Sequence, residues 1–394
     1  MKRRAWKVVL GILGGIALIL GGFWLWLSSV ADRRWEELRA DVAKRKATMA
    51  QRIGRREPLR GDPLPGNAWT DYRAAVAAIT AFPDGEATLQ RLAEPKTPVV
   101  RSQVASVIDG LQPALDLLRS GGRRVDGKLP EGPRPDVQLL KTLALWKARF
   151  DILDGRVEEG VEVLLDSARL MQDLQQESTP AGVERWTLDA GPAYEELRNA
   201  VMKGGLSPPA MEALERELDL LDRTAPSTEA AMERWGISLG DRALENPREF
   251  IRGNKWILVF HPRLEAAVSY FAYMERFRVL AGIDRMNWAE EQAAWTEFDR
   301  RGPSTWKEID WTADVRRKLA QLRLLRTLLH RRRTGQWLEL DDPFGAKLFH
   351  AETETHDKAW SVGRDGVDDG GKGDWVNAWK PRAGEDLILE VPRQ

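Results

Sequence analysis

The carboxylates near the C-terminus are the residues best placed to do chemistry. Ser361-Val362-Gly363 is followed by Asp365-Gly366, Asp368-Asp369 and Gly370-Gly371, then by Asp374 and Asp386. Carboxylate oxygens are hard ligands, and glycine lets the backbone turn tightly between them. Calcium takes roughly six to eight oxygens in a flexible cage. Asp365, Asp368, Asp369, Asp386 and Asp374 are the candidate ligands, Asp365 first among them and Asp374 last, with the Ser361 and Gly363 carbonyls as extras. The spacing is not that of an EF-hand, and the terminal Glu is missing. Asp-Gly and Asp-Asp-Gly-Gly are also ordinary turn chemistry, so an acidic turn that binds nothing fits the same residues.

His350, Glu352, Glu354 and His356 alternate along one stretch. They share a face if it is extended, and two His with a Glu are zinc ligands; a polar hairpin tip is the plainer reading. There is no HExxH, GxSxG, P-loop or GxGxxG, and with no Cys there is no thiol nucleophile, disulfide or thiolate metal site. Glu184 and Glu233 fall on helical stretches and would serve as acid and base only if one cleft held both. His330 abuts Arg331-Arg332-Arg333, which reads as a solvated helix end or a contact for acidic lipid or a partner.

The last part of the chain resembles the C-terminal region of the major pseudopilin of type II secretion. The matching pieces are a helix around 315–333, Gly335, Asp342-Pro343-Phe344-Gly345, Ser361-Val362-Gly363, Asp365-Gly366, Gly370-Gly371 and Asp386-Leu387-Ile388. A similar tail occurs in uncharacterised membrane-anchored bacterial helical proteins. The likeness covers about 80 of 394 residues, and its helix is generic. It implies a structural loop and a calcium ion, in a protein of the bacterial inner membrane. It does not carry over pilus assembly. No prepilin-peptidase site with its following Phe and Glu is present, Phe344 replaces the usual Trp, and Ala346-Lys347 replaces Asn-Pro.

Elements must position these residues, and the first is a membrane segment. Lys2-Arg3-Arg4 precedes a run from Val8 to Val30 without an ionisable residue. That is enough helix for the roughly 30 Å hydrocarbon core. Trp6, Trp24 and Trp26 lie near its ends, where amphipathic rings favour the interface. Ser29-Val30-Ala31 has the small residues of a cleavage site, but the run is longer than a signal-peptide core, so an uncleaved single-pass anchor is expected. Basic residues flank both sides and leave orientation open by charge. The short N-terminus reads as a signal-anchor that places the bulk of the chain on the exported side.

Lys plus Arg and Asp plus Glu are 60 each, which argues against a nucleic-acid partner. Residues 32–53 read as a charged helix with a thin apolar stripe of Trp35, Leu38, Val42 and Met49. Residues 54–66, rich in Pro and Gly, read as a linker standing the body off the membrane. Apolar spacing predicts helices over 70–82, 98–118, 137–153, 157–176, 208–221, 228–244, 261–283, 288–299 and 311–333. Residues 137–176 form the clearest unit, similar to a tetratricopeptide hairpin, with Leu140, Leu143, Ala144, Ala148, Val161, Leu164, Leu165 and Ala168 inward. Residues 121–135 read as a long turn. Alternation appears only over 337–340, 347–350, 358–362 and 387–391. The expected organisation is an anchor (1–31), a juxtamembrane helix and linker (32–68), a helical body (69–334) and a small β tail (335–394). The class is α+β, predominantly α-helical, with a small antiparallel C-terminal sheet.

Three functions follow as expectations. The first is a membrane-anchored, non-catalytic binding or scaffold protein for a protein or peptide partner. The second is an envelope hydrolase using carboxylates of the body. The third is an accessory part of a secretion or pilus-like machine, resting on the tail alone.

Overall fold

The computed structural model describes residues 2–52, 56–58, 60–94, 100–129, 135–176, 178, 180–225, 227–252, 261–301, 310–373 and 386–393, without side chains for 2–12, 50–52, 180, 181, 184, 186, 188, 189, 251, 252, 310 and 311. Among these lie fourteen α-helices: α1 (Lys2–Arg52), α2 (Ala68–Ala81), α3 (Gly85–Ala93), α4 (Arg101–Gly110), α5 (Gln112–Arg123), α6 (Val137–Leu153), α7 (Val157–Gln176), α8 (Pro180–Lys203), α9 (Pro208–Arg223), α10 (Thr228–Glu245), α11 (Pro247–Arg252), α12 (Pro262–Phe277), α13 (Trp288–Arg300) and α14 (Asp310–Thr334). The strands are β1 (Leu64–Asn67), β2 (Arg124–Asp126), β3 (Phe349–Glu352), β4 (His356–Ser361) and β5 (Leu387–Pro392). The fold is α+β and predominantly helical, with one long apolar N-terminal helix and a small antiparallel sheet at the C-terminus.

The main core gathers α2, α5, α6, α7, α8, α9 and α14. The inward-facing residues of the α6–α7 hairpin named above are all buried there. Polar side chains start many of these helices: Asn67, Asp136, Ser207, Ser227 and Asn287 each accept a bond from a first-turn N–H, and Asn287 forms a capping box with Glu290. Gly335, at φ 75°, ends α14 with its N–H on the Arg331 carbonyl at 2.8 Å. The tail sheet has order β3-β4-β5, antiparallel throughout, with Trp360 opposite both Phe349 and Ile388. It leans on α14.

α1 is a single helix of 51 residues with two environments. Leu18, Ile19, Leu25 and Trp26 are 60–79% exposed. Further along, Trp35, Leu38 and Val42 are buried in a second core against α10 and α12, so the thin apolar stripe is a packing face. Arg45 bridges Asp41 at 2.7 Å and Glu233 of α10 at 2.8 Å, and the Tyr270 hydroxyl of α12 donates to Asp41 at 2.7 Å. Gly240 marks the closest approach of α10 to α1: a Cβ there would stand 2.3 Å from Val42 Cγ2 and 3.1 Å from Tyr270 Cε2. Val42 is β-branched and stiff, so Gly240→Ala is expected to cost about 1–3 kcal/mol by overpacking. Urea denaturation of the detergent-solubilised chain checks this; an unchanged midpoint would mean that α1 is not seated on α10.

The structure corrects four expectations. The helix over 98–118 is two, α4 and α5, broken at Leu111, because Pro113 suits a first turn and not a helix interior. The turn over 121–135 begins inside α5 and continues as β2, which pairs in parallel with β1. Residues 337–340 form no ladder; Leu340 accepts one bond from the Leu348 N–H at 3.0 Å. The described part of the stand-off linker is a strap bound down on the body.

Candidate functional site

Three places concentrate ionisable groups, and the tail loop is the first. Asp342, 3% exposed, accepts from the Phe344 N–H at 2.9 Å, the Ser361 hydroxyl at 2.7 Å and the Val362 N–H at 2.9 Å. Burial pushes its carboxyl above the ordinary value, and those three donors pull it back. This carboxylate joins the Asp-Pro-Phe-Gly turn to the end of β4. Trp288 of α13 packs edge-on to Phe344 and donates to the Arg364 carbonyl at 2.7 Å.

The predicted ligands divide. The Ser361 hydroxyl donates to Asp342, and the Gly363 carbonyl accepts from the Gly366 N–H at 3.3 Å. Asp365 is exposed and accepts from the Val367 N–H at 3.1 Å, apart from the others. Asp368, Asp369 and Asp386 do come together. Asp386 accepts from the Asp369 N–H at 3.1 Å and the Gly371 N–H at 2.7 Å. Asp368 accepts from Trp360 Nε1 and from the Gly370 N–H, each at 2.9 Å. Burial raises the Asp386 carboxyl, and the charges of Asp368 and Asp369 add to that rise. Asp369 Oδ2 is enclosed without a hydrogen-bond partner. Asp374 lies outside the described residues.

By donor chemistry these oxygens suit calcium. Among the described residues, however, no three acidic or imidazole groups converge closely enough to hold a metal. Lys358 also donates to the Gly371 carbonyl, so one cation already lies against the loop. The His350–His356 quartet is dispersed. His350 bonds Glu339 at 2.9 Å and stacks on Trp337, Glu352 pairs with Arg331 at 2.8 Å, and His356 contacts the Thr355 hydroxyl.

The second place is the strap beneath α1. Arg56 sends its guanidinium to Asp173 of α7 and the Gly121 carbonyl, its Nε to the Arg124 carbonyl at 2.7 Å and its backbone N–H to the Val125 carbonyl at 2.9 Å. Asp173 also accepts from the Tyr72 hydroxyl at 2.7 Å and lies 3.5 Å from Arg169 Nε. Arg169 is fully buried and donates to the Glu57 carbonyl at 2.9 Å. Arg60 bridges to Asp166 at 2.8 Å, while its backbone N–H meets Glu217 at 3.0 Å. Burial outweighs the Arg60 and Arg119 charges and pushes Asp166 up to about 6.

That shift has a sign. The folded state holds the Asp166 proton more tightly than the unfolded chain, so between the ordinary aspartate value of 3.8 and about 6 it binds more protons. Wild type should therefore gain stability relative to Asp166→Asn as pH falls from neutrality into that window. Denaturation midpoints of both chains at pH 4.5 and 7 check it; an equal gap at the two pH values would show that Asp166 titrates normally.

The third place is a cavity of about 30 Å³ between α7, α8, α9 and α14, room for one or two water-sized groups. Its walls include Met171, Gln175, Tyr194 and Lys318. Lys318 donates to Gln321 at 3.0 Å and lies 5.2 Å from the Tyr194 ring centre. Burial, with the Arg317 charge beside it, pushes the amine down to about 7. The lining contains no carboxylate or imidazole among the described residues.

Glu233 is spent on Arg45, and the Glu184 side chain lies outside the described residues. The basic run at the end of α14 is not a solvated end. His330 and Arg333 both meet Glu215 of α9, at 2.9 and 3.0 Å, Arg331 meets Glu352 and Asp357, and Arg332 donates to the Val201 carbonyl. Sequence reasoning missed the strap arginines and Lys318, since Arg in a Pro-Gly stretch, or a Lys on a helix, carries no spacing signal.

Comparison with known proteins adds no relative: no family model, no curated protein and no solved structure matches the chain.

Proposed function

We propose that this chain is a single-pass, membrane-anchored, non-catalytic helical scaffold whose body lies on the exported side of a bacterial inner membrane and holds a protein or peptide partner. The continuity of α1 carries the reading. One helix is long and apolar enough to cross a membrane in its first half, and its second half is packed into the body by Trp35, Leu38 and Val42. An anchor built this way fixes the body's position against the bilayer, as a scaffold requires. The size of the cavity supports the non-catalytic part of the reading: at about 30 Å³ it has room only for water-sized groups beside Lys318 and Tyr194. Outside α1 the exposed large apolar residues Val100, Leu153, Val268, Phe349 and Val367 are scattered, so the partner would be read through a mostly polar face.

The test is a pair of C-terminal reporter fusions, one active only in the cytoplasm and one only after export, combined with alkaline extraction of membranes. Activity of the export reporter in the extraction-resistant fraction is expected. Activity of the cytoplasmic reporter alone would overturn the orientation, and release by alkali would overturn the anchor.

The unpartnered Asp369 Oδ2 favours a second reading, in which calcium stabilises the tail. Asp369 would lead, and Asp386 and Asp368 would have to close in on it, since as they stand no three acidic groups converge closely enough to hold a metal; the ion would supply the charge that quiets their mutual repulsion. Calcium at a hundred times its dissociation constant is then expected to add about 2.7 kcal/mol. The rise in melting temperature should be absent with magnesium and lost in Asp369→Asn. No calcium response in metal-free protein would leave Lys358 and the backbone N–H groups as what closes the loop.

A further inference from the structure

We infer that the N-terminal end of α12 rests in the headgroup layer of the membrane that α1 crosses, giving the body a second lipid contact beside its anchor. This rests on the membrane-spanning reading of α1 and goes beyond it. Contacts between the two helices run in the same order: His261 lies by Trp24 at 6.0 Å between ring centres, Arg263 over Trp35 at 5.7 Å, and the Tyr270 hydroxyl on Asp41 at 2.7 Å. α12 therefore points its first residues toward the apolar half of α1.

The depth follows from helix geometry. Trp24 precedes the first ionisable residue after the span, Asp32, by eight positions (32 − 24). At 1.5 Å per residue that is about 12 Å along the axis. The headgroup region on each side of the hydrocarbon is only about 5–8 Å thick. With Asp32 in water about one helical turn (roughly 5 Å) beyond the outer edge of that region, Trp24, and His261 beside it, reach the boundary between headgroups and hydrocarbon. Trp24 is 50% exposed and Phe23 56%, so nothing in the described protein covers that side of the contact. His261 is part-exposed and caps no helical N–H with its side chain, so its ring is not held by α12. Arg263 is exposed and reaches over Trp35, on the water side of Asp32.

The chain has no Cys, so single labels are unambiguous. Nitroxides at Leu18→Cys, His261→Cys, Val268→Cys and Glu354→Cys of the full chain, in vesicles of phosphatidylcholine and phosphatidylglycerol, are compared by collision with oxygen and with a water-soluble nickel complex. The Leu18 label should favour oxygen, and Glu354 should favour nickel. The His261 label should show severalfold less nickel collision than Glu354, with Val268, further from the membrane, between them. Arg263→Cys repeats the reading at an exposed site in case the His261 variant folds poorly. A lipid-buried Leu18 label with His261 and Arg263 as open to nickel as Glu354 overturns the inference alone. A water-exposed Leu18 label overturns the membrane reading on which it rests.

Discussion

Asp173→Ala is expected to lower the unfolding free energy by about 3–5 kcal/mol, because removing one member of a buried ion pair leaves the other charge without compensation. The Arg56 and Asp173 side chains are 4% and 1% exposed, and Arg169, which also faces Asp173, is fully buried. The substitution strands two guanidinium groups and one tyrosine hydroxyl at once. Burial works against the charged Arg56, and the charge of Asp173 together with the Tyr72 oxygen and the hydrogen bonds to both more than offsets it, so its guanidinium is held above its ordinary value. Burial also pushes the Tyr72 hydroxyl up, and Asp173 adds to that effect. The three groups act as a unit. Adding Arg56→Met to Asp173→Ala should cost less than Arg56→Met alone, since contacting residues are not additive. Urea midpoints of the four chains give the answer. A loss below about 1 kcal/mol for Asp173→Ala would mean that water reaches the pair and that its value is that of a surface bridge.

Asp342→Ala should be the next largest, at about 2–4 kcal/mol, and its effect should be local. Each buried donor left without an acceptor costs about 1–3 kcal/mol, and Asp342 serves the Phe344 N–H, the Ser361 hydroxyl and the Val362 N–H. Losing it detaches the Asp-Pro-Phe-Gly turn from the end of β4 and loosens the Phe344 contact under Trp288. Limited proteolysis should then cut in the tail while α6, α7 and α8 stay protected. Cleavage throughout the chain would show that tail and body unfold together; an unchanged pattern would show that the sheet alone holds the tail. Ser361→Ala removes one of the three bonds and should fall between wild type and Asp342→Ala.

The two predictions differ in how far they could be read without coordinates. Asp342-Pro343-Phe344-Gly345 and Ser361-Val362-Gly363 stand out in the sequence as turn chemistry, because turn residues act on neighbours one to three positions away. Their mutual bond spans nineteen positions and does not show. In the sequence Asp365 stands in the same Gly-rich acidic loop as the other candidate ligands. The fold leaves it exposed and brings Asp386 to Asp368 and Asp369, since β5 returns antiparallel to β4 and delivers residue 386 to the loop. Arg56 and Arg60 offered no sign at all. A Pro- and Gly-rich stretch has the composition of a free linker, and only the acidic groups waiting on α7 and α9 convert it into a strap.

By itself the sequence determined what depends on local periodicity and on composition. These are a first helix long and apolar enough for a bilayer, a helical body with its α6–α7 hairpin, the caps that start several helices, and a short strand-bearing tail. Each follows from residues within one or two turns of one another, where propensity, capping and the spacing of apolar side chains act. Only the tertiary structure decided which charged groups are buried, that the juxtamembrane helix is a packing face, that the basic end of α14 is paired, and that α12 aims at the apolar half of α1. Those outcomes depend on pairs of residues tens to hundreds of positions apart. Burying a charge is tolerable only where its counter-charge is delivered by another element, and no spacing along the chain records that meeting.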